Sequence, residues 1–493
     1  MELADLRRSA REIFSEALKS VDAGLAVRRA VRLQGSSLTL VDTAFDLTTL
    51  PAAIYAVAIG KAALPMAVAL NEILGERLSA GVITGSLPGT SEEVGRLTRQ
   101  LIEVGQLSEE EAERSIFRNV IWNAAAQGRG DSAAAAYTES SLPGRWRVFA
   151  GGHPLPNEES LAAARASFDL LRRADSTGAL VIFLISGGGS VMIEWPRDPR
   201  ITLEELQAAN RALISCGASI AEVNAVRRAF SAVKGGGLAA QAPRTRQVSL
   251  IVSDTNAGGE RDVASGPTFE PQDDPGVAAI IARYDLASLL PPSILRAIEE
   301  TRPAKATRQL SGRHYVLLDN RHGIEAAVEA ARARGFTVEA AHDLVEQPIA
   351  EGSMQLLSRL SDLRRRATSE PQRVCLISGG EFACPLKGDG TGGRNSETAL
   401  RCAIELDARS KGQRLIAHAV CLSACTDGID GNSPAAGAMA DETTLERARS
   451  KGLDARSFLD RSDAYTFFES LGDAIITGRT GTNVRDLRLM IAG

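Results

Sequence analysis

The sequence predicts an α/β protein of two domains, with a mainly parallel sheet in the first and a smaller α/β second domain. Short apolar runs that end in Gly, Ser or Asp alternate with amphipathic segments, which is typical of parallel strands joined by crossover helices. At 493 residues the chain is too long for one ordinary domain. The phrase Leu-Ile-Ser-Gly-Gly occurs at 184–188 and again at 376–380, once in each half of the chain.

Seven short apolar runs are predicted to be strands, and capping patterns mark helices between them. Thr202 and Ser219 are each followed three residues later by Glu, the capping-box pattern that starts a helix. We place the domain boundary at 240/241, after the glycine run 235–237. The polar region 86–147 is predicted to be an insertion with some helix. The predicted strands cover 54–59, 81–84, 180–185, 248–252, 315–318, 374–377 and 418–422.

Composition excludes several classes of protein. Hydrophobic residues make up 44% of the chain and charged residues 24%, as in ordinary globular proteins. The formal charge is −5 and no segment is strongly basic, so we expect no nucleic-acid partner. The six cysteines show no Cys-x-x-Cys spacing, which suits a reducing compartment. The apolar run 179–185 is far shorter than the roughly 20 residues of a membrane helix, so we expect a cytoplasmic protein.

Two segments of the first half are candidates for binding an anion. Lys61 follows Gly60 where a strand turns into a helix, and free backbone N–H groups at such a turn favour anions. The alternative is a solvated surface lysine. Gly187, Gly188 and Gly189 lack side chains that would block a phosphate, and with Ser186 and Ser190 they are the predicted nucleotide loop. The alternative is a plain strand-to-helix turn.

A predicted helix over 220–233 has an apolar side and a polar side. Asn224 and Arg227 lie on the polar side and are candidates for contacting substrate, and Lys234 and Gly235 follow them as candidates for the nucleotide. His153 stands before a proline near another helix start and is a further substrate candidate. A structural role in the turn is the alternative for His153.

Three aspartates follow predicted strands, at the edge where an open parallel sheet binds its ligands. Asp254 closes one strand, and Asp427 and Asp430 lie in the loop after another. Such carboxylates hold Mg²⁺ or accept a proton from a hydroxyl. Capping of the loop is the alternative for each of them.

The loop 387–397 is rich in glycine and places Arg394 at the start of a helix. A guanidinium there can bind phosphate or carboxylate through two parallel hydrogen bonds. Asn395 and, in the small polar loop 480–483, Asn483 are further substrate candidates. A flexible surface loop is the competing interpretation. Together the glycine loops, the lysine, the arginine and the carboxylates suit phosphoryl transfer, which depends on positioning and charge stabilisation.

The combined motifs resemble the glycerate 2-kinases that carry a C-terminal MOFRL domain, a family also described as hydroxypyruvate reductases. The resemblance spans nearly the whole chain. It runs through 60–62, 152–154, 186–190, 224–237, 264–268, 392–397, 426–431 and 480–483.

The resemblance implies phosphorylation of D-glycerate to 2-phosphoglycerate by ATP with Mg²⁺, in a cleft between a Rossmann-like N-terminal domain and the MOFRL-like domain. It makes Lys61 and Arg394 the leading catalytic residues, with Asp254 and Asp427 beside them, and Asp254, Asp427 and Asp430 the metal candidates. It also implies that 456–493 returns to the N-terminal domain, 1–240, while 241–455 forms the C-terminal one. A homodimer is left open.

The sequence departs from the family pattern at several positions. Gly258 and Gly259 replace two adjacent acids, Pro434 replaces an aspartate, and Arg479 replaces a proline. Fewer carboxylates are therefore left to hold a metal, and the exact substrate and the hydroxyl that is phosphorylated are left open.

Two rival functions belong to other classes. A reductase acting on hydroxypyruvate would need a Gly-x-Gly-x-x-Gly turn for a dinucleotide, which the turn at Gly60 lacks. A diverged hydroxy-acid kinase or small-anion-binding paralogue is the second rival, and the retention of Lys61 and Arg394 argues against an inactive one.

Overall fold

The computed structural model describes residues 2–48, 53–85, 144–256, 258–270, 276–300, 312–367, 373–411 and 418–493. The predicted insertion at 86–147 lies outside the described residues up to position 143. The described residues form two units, which we name the central unit (23–317) and the C-terminal unit (2–22 with 318–493).

Strands and helices alternate through most of the chain. The strands are β1 Val31–Gln34, β2 Ser37–Leu40, β3 Thr43–Asp46, β4 Ile54–Ile59, β5 Leu78–Gly85, β6 Trp146–Ala150, β7 Leu180–Ser186, β8 Arg246–Val252, β9 Arg313–Leu318, β10 Thr337–Ala341, β11 Val374–Gly380, β12 Ala419–Cys425, β13 Gly437–Asp441, β14 Ala474–Ile475 and β15 Asp486–Ala492. The helices are α1 Leu3–Ser20, α2 Ala23–Ala30, α3 Ala63–Leu74, α4 Glu158–Thr177, α5 Gly189–Met192, α6 Leu203–Ser215, α7 Ile220–Phe230, α8 Val277–Arg283, α9 Pro292–Glu300, α10 Asn320–Ala333, α11 Ile349–Arg366, α12 Arg394–Lys411, α13 Thr444–Ser450, α14 Ala455–Asp460 and α15 Ala464–Leu471.

The central unit is built on a six-stranded sheet in the order β6-β5-β4-β7-β8-β9. Strands β4 to β8 pair in parallel. Every residue of β4 and β7 is buried, as expected for central strands covered on both faces. The short strands β1 to β3 form a separate antiparallel sheet.

The C-terminal unit has a mixed six-stranded sheet in the order β10-β11-β15-β12-β13-β14. Strand β15 lies between β11 and β12 and runs antiparallel to both. Helix α1 packs its apolar face, with Ile13 and Phe14, against this unit in one hydrophobic cluster with Ile324 and Leu487.

The α/β fold with two domains is confirmed, and each of the seven predicted segments falls within a strand or overlaps one closely. The division of the chain differs from the predicted boundary at 240/241. Strands β8 and β9 extend the central sheet, so the central unit continues to residue 317. Residues 456–493 lie in the C-terminal unit and not in the N-terminal domain, because β15 completes the sheet there. Across the described ranges, no helix is long and apolar enough to span a membrane.

Candidate functional site

In the central unit, the turn after β4 carries Lys61 beside the glycine loop after β7. Gly60 has φ +105°, and a Cβ there would lie 2.3 Å from the Ser186 carbonyl oxygen, so only glycine fits this approach. The Lys61 amide donates a hydrogen bond to the Gly187 carbonyl at 2.9 Å. The structure therefore brings the two predicted anion-binding segments together at one edge of the sheet.

Three predicted side chains surround this glycine loop. A Cβ built on Gly188 would lie 3.2 Å from Lys61 Cγ and 3.4 Å from His153 Cδ2. A Cβ built on Gly187 would lie 1.8 Å from Asp254 Oδ2, so the Asp254 carboxylate packs directly on the loop backbone. Lys61 and Asp254 are half-buried and His153 is exposed. A cation, a carboxylate and an imidazole thus converge on a loop without blocking side chains.

Ser186 has a structural role within this arrangement. It is fully buried, and its hydroxyl accepts a hydrogen bond from the Ala62 amide at 2.9 Å and donates one to the Ile59 carbonyl at 3.1 Å. The hydroxyl therefore holds the turn that carries Lys61, and its contact with the nucleotide stays a prediction. Gly187, Gly188, Gly189 and the half-buried Ser190 remain as the candidate phosphate loop.

The polar side of α7 is buried, and a contact of Asn224 and Arg227 with substrate stays a prediction. Asn224 and Arg227 are 2% and 5% exposed. The Asn224 side-chain oxygen accepts a hydrogen bond from the Ser265 hydroxyl at 2.8 Å. Arg227 Nε donates to Asn210 Oδ1 at 3.0 Å. These two side chains therefore join α7 to the segment that carries Ser265 and to α6.

Lys234 and Gly235 also serve the interior of the central unit. Lys234 is 1% exposed, and its ammonium is ion-paired and hydrogen-bonded to Glu194. Burial lowers the pKa of Lys234, and the Glu194 carboxylate opposes that shift. The Gly235 amide donates to the Ser265 carbonyl at 3.2 Å. The contact of these two residues with a nucleotide stays a prediction.

In the C-terminal unit, Arg394 begins α12 between two carboxylates. Its Nε and Nη2 donate to Asp486 Oδ2 at 2.6 Å and Oδ1 at 3.0 Å. Nη2 also lies 2.7 Å from Glu381 Oε1. Burial lowers the pKa of Arg394, but the carboxylates of Asp486 and Glu381 outweigh it and hold the pKa well above its usual range. Glu381 is thus a second ion-pair partner of Arg394, with a half-exposed side chain.

The sheet topology explains why these groups meet. Asp486 is the first residue of β15, and its register partners are Gly380, at the end of β11, and Cys425, at the end of β12. Because β15 is antiparallel to both neighbours, its start lies at the edge where they end. Sequence analysis missed Asp486. The alternation of apolar residues at 487, 489 and 491 was the available signal for this strand.

Asp430 caps α12, which corrects its assignment to a metal. It is 2% exposed and accepts hydrogen bonds from the amides of Asn395 at 3.0 Å and Ser396 at 2.8 Å. The Ser396 hydroxyl and the Asn395 side chain donate to it as well. Burial raises the pKa of Asp430, against the effect of these hydrogen bonds. The capping alternative is therefore the one that the structure supports.

The two asparagines predicted to bind substrate have internal partners. Asn395 is 1% exposed and accepts a hydrogen bond from the Ser423 hydroxyl at 2.7 Å. The Asn483 side chain accepts from the Arg485 amide at 3.1 Å. The loop that carries Asn483 rests on the loop of the aspartates, since the Thr480 hydroxyl donates to the Thr426 carbonyl at 2.6 Å.

Only two of the three predicted Mg²⁺ ligands suit the ion. Asp254 and Asp427 are half-buried carboxylates, which suit a cation that takes one or two carboxylates together with phosphate oxygens and water. Asp430 does not fit, because its oxygens already accept the bonds of the helix cap. Within the described segments, no group of three or more His, Cys, Asp or Glu side chains could hold a metal ion by itself.

These features define a class of two-unit α/β proteins in which one unit presents a lysine beside a glycine loop and the other an arginine held by carboxylates. Two family models match the chain: "Domain of unknown function (DUF4147)" over residues 9–299 and "MOFRL family" over 374–486.

Curated relatives cover nearly the whole chain. A glycerate kinase of Rattus norvegicus is 32% identical over 99% of this chain and 93% of its own length. A D-glycerate 2-kinase of Thermotoga maritima is 32% identical over 69% of this chain and 79% of its own, and a putative hydroxypyruvate reductase of Agrobacterium vitis is 36% identical over 72% and 91%. The crystal structure of a glycerate kinase from Thermotoga maritima matches with a TM-score of 0.72 and 27% identity, covering 99% of this chain and 100% of that one. The chain belongs to the glycerate kinase family with a MOFRL domain.

Proposed function

We propose that the protein is a glycerate 2-kinase, which transfers the γ-phosphoryl group of ATP to D-glycerate and releases 2-phosphoglycerate and ADP. Two observations carry the proposal: Lys61 lies beside an open glycine loop in the central unit, and Arg394 is held by carboxylates in the C-terminal unit. Full-length relatives named glycerate kinase support it. Phosphoryl transfer requires cations of this kind where negative charge accumulates.

The reaction joins the 2-hydroxyl oxygen of glycerate to the γ-phosphorus while the bond from that phosphorus to the β,γ-bridging oxygen breaks. ADP leaves with the bridging oxygen. Lys61 and Arg394 would stabilise the charge on the transferred phosphoryl group or the substrate carboxylate. The hydroxyl proton would pass to Asp254 or Asp427, the two half-buried aspartates of the predicted site. The glycine loop would bind phosphate oxygens through its amides.

The same two aspartates are the residues proposed to hold Mg²⁺ with the nucleotide. When bound, the ion would neutralise phosphate charge. Because Asp254 packs against the Gly187 backbone, its carboxylate is fixed next to the proposed phosphate loop. A cytoplasmic location and a homodimer remain predictions from the sequence.

The test is formation of ADP from ATP with D-glycerate, and product analysis for 2-phosphoglycerate. We expect ADP only when D-glycerate or a close hydroxy acid is present. Lys61→Ala should lower turnover about 10²–10³-fold, since it removes a preorganised charge from the site. Lys19→Ala, at an exposed position of α1, is the matched control and should keep full activity. Absence of ADP across a panel of small hydroxy acids would refute the proposal.

Reduction of hydroxypyruvate is the second candidate, because some relatives carry that name. The turn after β4 has Gly60 alone and lacks the spacing of a dinucleotide site. Oxidation of NADH or NADPH by the purified protein with hydroxypyruvate, and no ADP from ATP with D-glycerate, would favour the reductase over the kinase.

A further inference from the structure

Asp486 holds the guanidinium of Arg394 more firmly than any other described residue does. The Asp486 side chain is fully buried, and its two oxygens accept from Nε and Nη2 of Arg394 in a fork at 2.6 and 3.0 Å. A two-point contact fixes both the position and the plane of a guanidinium. The Asp486 backbone is in turn fixed by strand pairing with β11 and β12.

Glu381 makes a weaker contact with the same guanidinium. Its carboxylate lies 2.7 Å from Nη2, and its side chain is 33% exposed. An ion pair at such a position contributes little because water competes with it. Glu381 is thus a partner that a bound anion can replace, whereas Asp486 is not.

Arg488 secures the carboxylate from the interior. Its Nη1 lies 3.9 Å from Asp486 Oδ2, its Nε donates to the Ser378 hydroxyl at 2.9 Å, and its guanidinium stacks on the Phe382 ring at 3.7 Å. Burial lowers the pKa of Arg488 to about 10, against the effect of Asp486, so the side chain is still cationic at neutral pH. Asp486 therefore sits between an interior cation that is fixed and Arg394, which is partly exposed.

We propose that Asp486 is the positioning residue for Arg394: its buried carboxylate holds the guanidinium through Nε and Nη2 in one orientation, in which the guanidinium meets an anionic substrate group. This inference rests on the proposed function, because it assigns Asp486 to the same phosphoryl transfer. Asp486 itself would not touch the substrate.

The first experiment compares D486N with D473N in the intact protein, using the ADP assay. Asp473 is a matched control, since it is also a buried aspartate of the C-terminal unit that pairs with arginines, Arg7 and Arg447. Both substitutions should lower the melting temperature. Only D486N should lower kcat/KM for D-glycerate, about 10²-fold, because a misplaced Arg394 guanidinium stabilises the transition state less well. Equal kcat/KM values for the two variants would overturn the proposal.

The second experiment separates positioning from loss of stability. Guanidinium chloride at low millimolar concentration is added to R394A and to the double variant R394A/D486N. We expect partial recovery of activity in R394A and none in the double variant, because the carboxylate is what holds a guanidinium there. Equal recovery in both would contradict the role of Asp486.

The outcome for the wild type distinguishes the two proposals. If the wild type forms no ADP with any hydroxy acid, the proposed function fails and crystal structures decide the positioning role. A guanidinium of Arg394 that leaves its position in D486N but keeps it in D473N supports the role. An unmoved guanidinium in D486N overturns it.

Discussion

Removal of the Asp430 carboxylate should destabilise the C-terminal unit more than the loss of an ordinary helix cap. In Asp430→Ala, the amides of Asn395 and Ser396 and the Ser396 hydroxyl lose their acceptor. Loss of a capping side chain costs about 0.5–2 kcal/mol. These donors stay buried, and each donor left without an acceptor adds about 1 kcal/mol to the loss of stability, at the low end of the measured range.

The capping value already covers one of the three donors, so the other two bring the expected loss of stability to about 2.5–4 kcal/mol. For a unit of this size, each kcal/mol lowers the melting temperature by about 2–4 °C. Differential scanning calorimetry should show the transition of the C-terminal unit shifted down by about 5–16 °C. Kinase activity should fall as well, since Arg394 occupies the first turn of the same helix.

Asp454→Ala is the control for this measurement. Asp454 caps α14 from an exposed position and accepts from the Arg456 amide at 3.3 Å. Water can replace that acceptor, so the cost should stay below about 1 kcal/mol. If Asp430→Ala shifts the transition no further than Asp454→Ala does, the buried cap does not stabilise α12 as argued.

Three other perturbations test the central unit and the start of α10. Lys234→Met leaves Glu194 buried and unpaired and should cost about 3–5 kcal/mol in urea unfolding, while the double variant with Glu194→Met should recover most of it. Gly187→Ala should abolish kinase activity, because its methyl group would occupy the place of a carboxylate oxygen. Hydrogen bonding to Asp319 raises the pKa of His322 above 6.5. Burial raises the pKa of Asp319, but its bonds to His322 and Arg321 outweigh burial and lower that pKa from 3.8 to about 2. Melting temperatures of the wild type and Asp319→Asn should differ most between pH 4 and 6.5, and the difference should shrink as pH falls towards 2 or rises through the elevated pKa of His322.

Each of these results has an outcome that would contradict it. Gly276→Ala is the control for the glycine substitution, since a Cβ there meets nothing within 4 Å. Loss of activity in both variants would mean that activity responds to any glycine substitution and not to the crowding at Gly187. Equal instability of the single Lys234 variant and the double variant would contradict the cost of an unpaired Glu194. A pH-independent difference for Asp319→Asn would mean that the Asp319–His322 bond does not depend on charge.

The parallel core of the central unit was predictable because its strands carry continuous apolar runs. Strands β4 and β7 are buried along their whole length, and such runs are visible in the sequence without any knowledge of neighbours. Strands β10 and β14 were not predicted. β10 has mixed burial and β14 has two residues, so neither leaves a clear pattern.

Candidate residues that lie in local turns were predicted from the sequence. A residue that joins the site only through distant strands was missed. Lys61 and Arg394 were selected as candidates because of the glycine-rich turns around them. Asp486 is 92 residues from Arg394 along the chain, and only the insertion of β15 between two strands makes them neighbours. The burial of the polar residues of α7 was not predicted either, because periodicity shows which side of a helix is polar but not whether other elements cover it.

The repeated Leu-Ile-Ser-Gly-Gly phrase shows how similar sequences support different chemistry. In both copies the last glycine has a left-handed φ, +80° at Gly188 and +77° at Gly380. In both copies the serine hydroxyl bonds to a basic segment: Ser186 to the turn that carries Lys61, and Ser378 to Arg488. The residue that follows the phrase differs between the two copies. Gly189 leaves the first loop open to an anion, whereas Glu381 in the second loop forms an ion pair with Arg394. The same local geometry therefore provides the proposed phosphate loop in one unit and a carboxylate that pairs with a cation in the other.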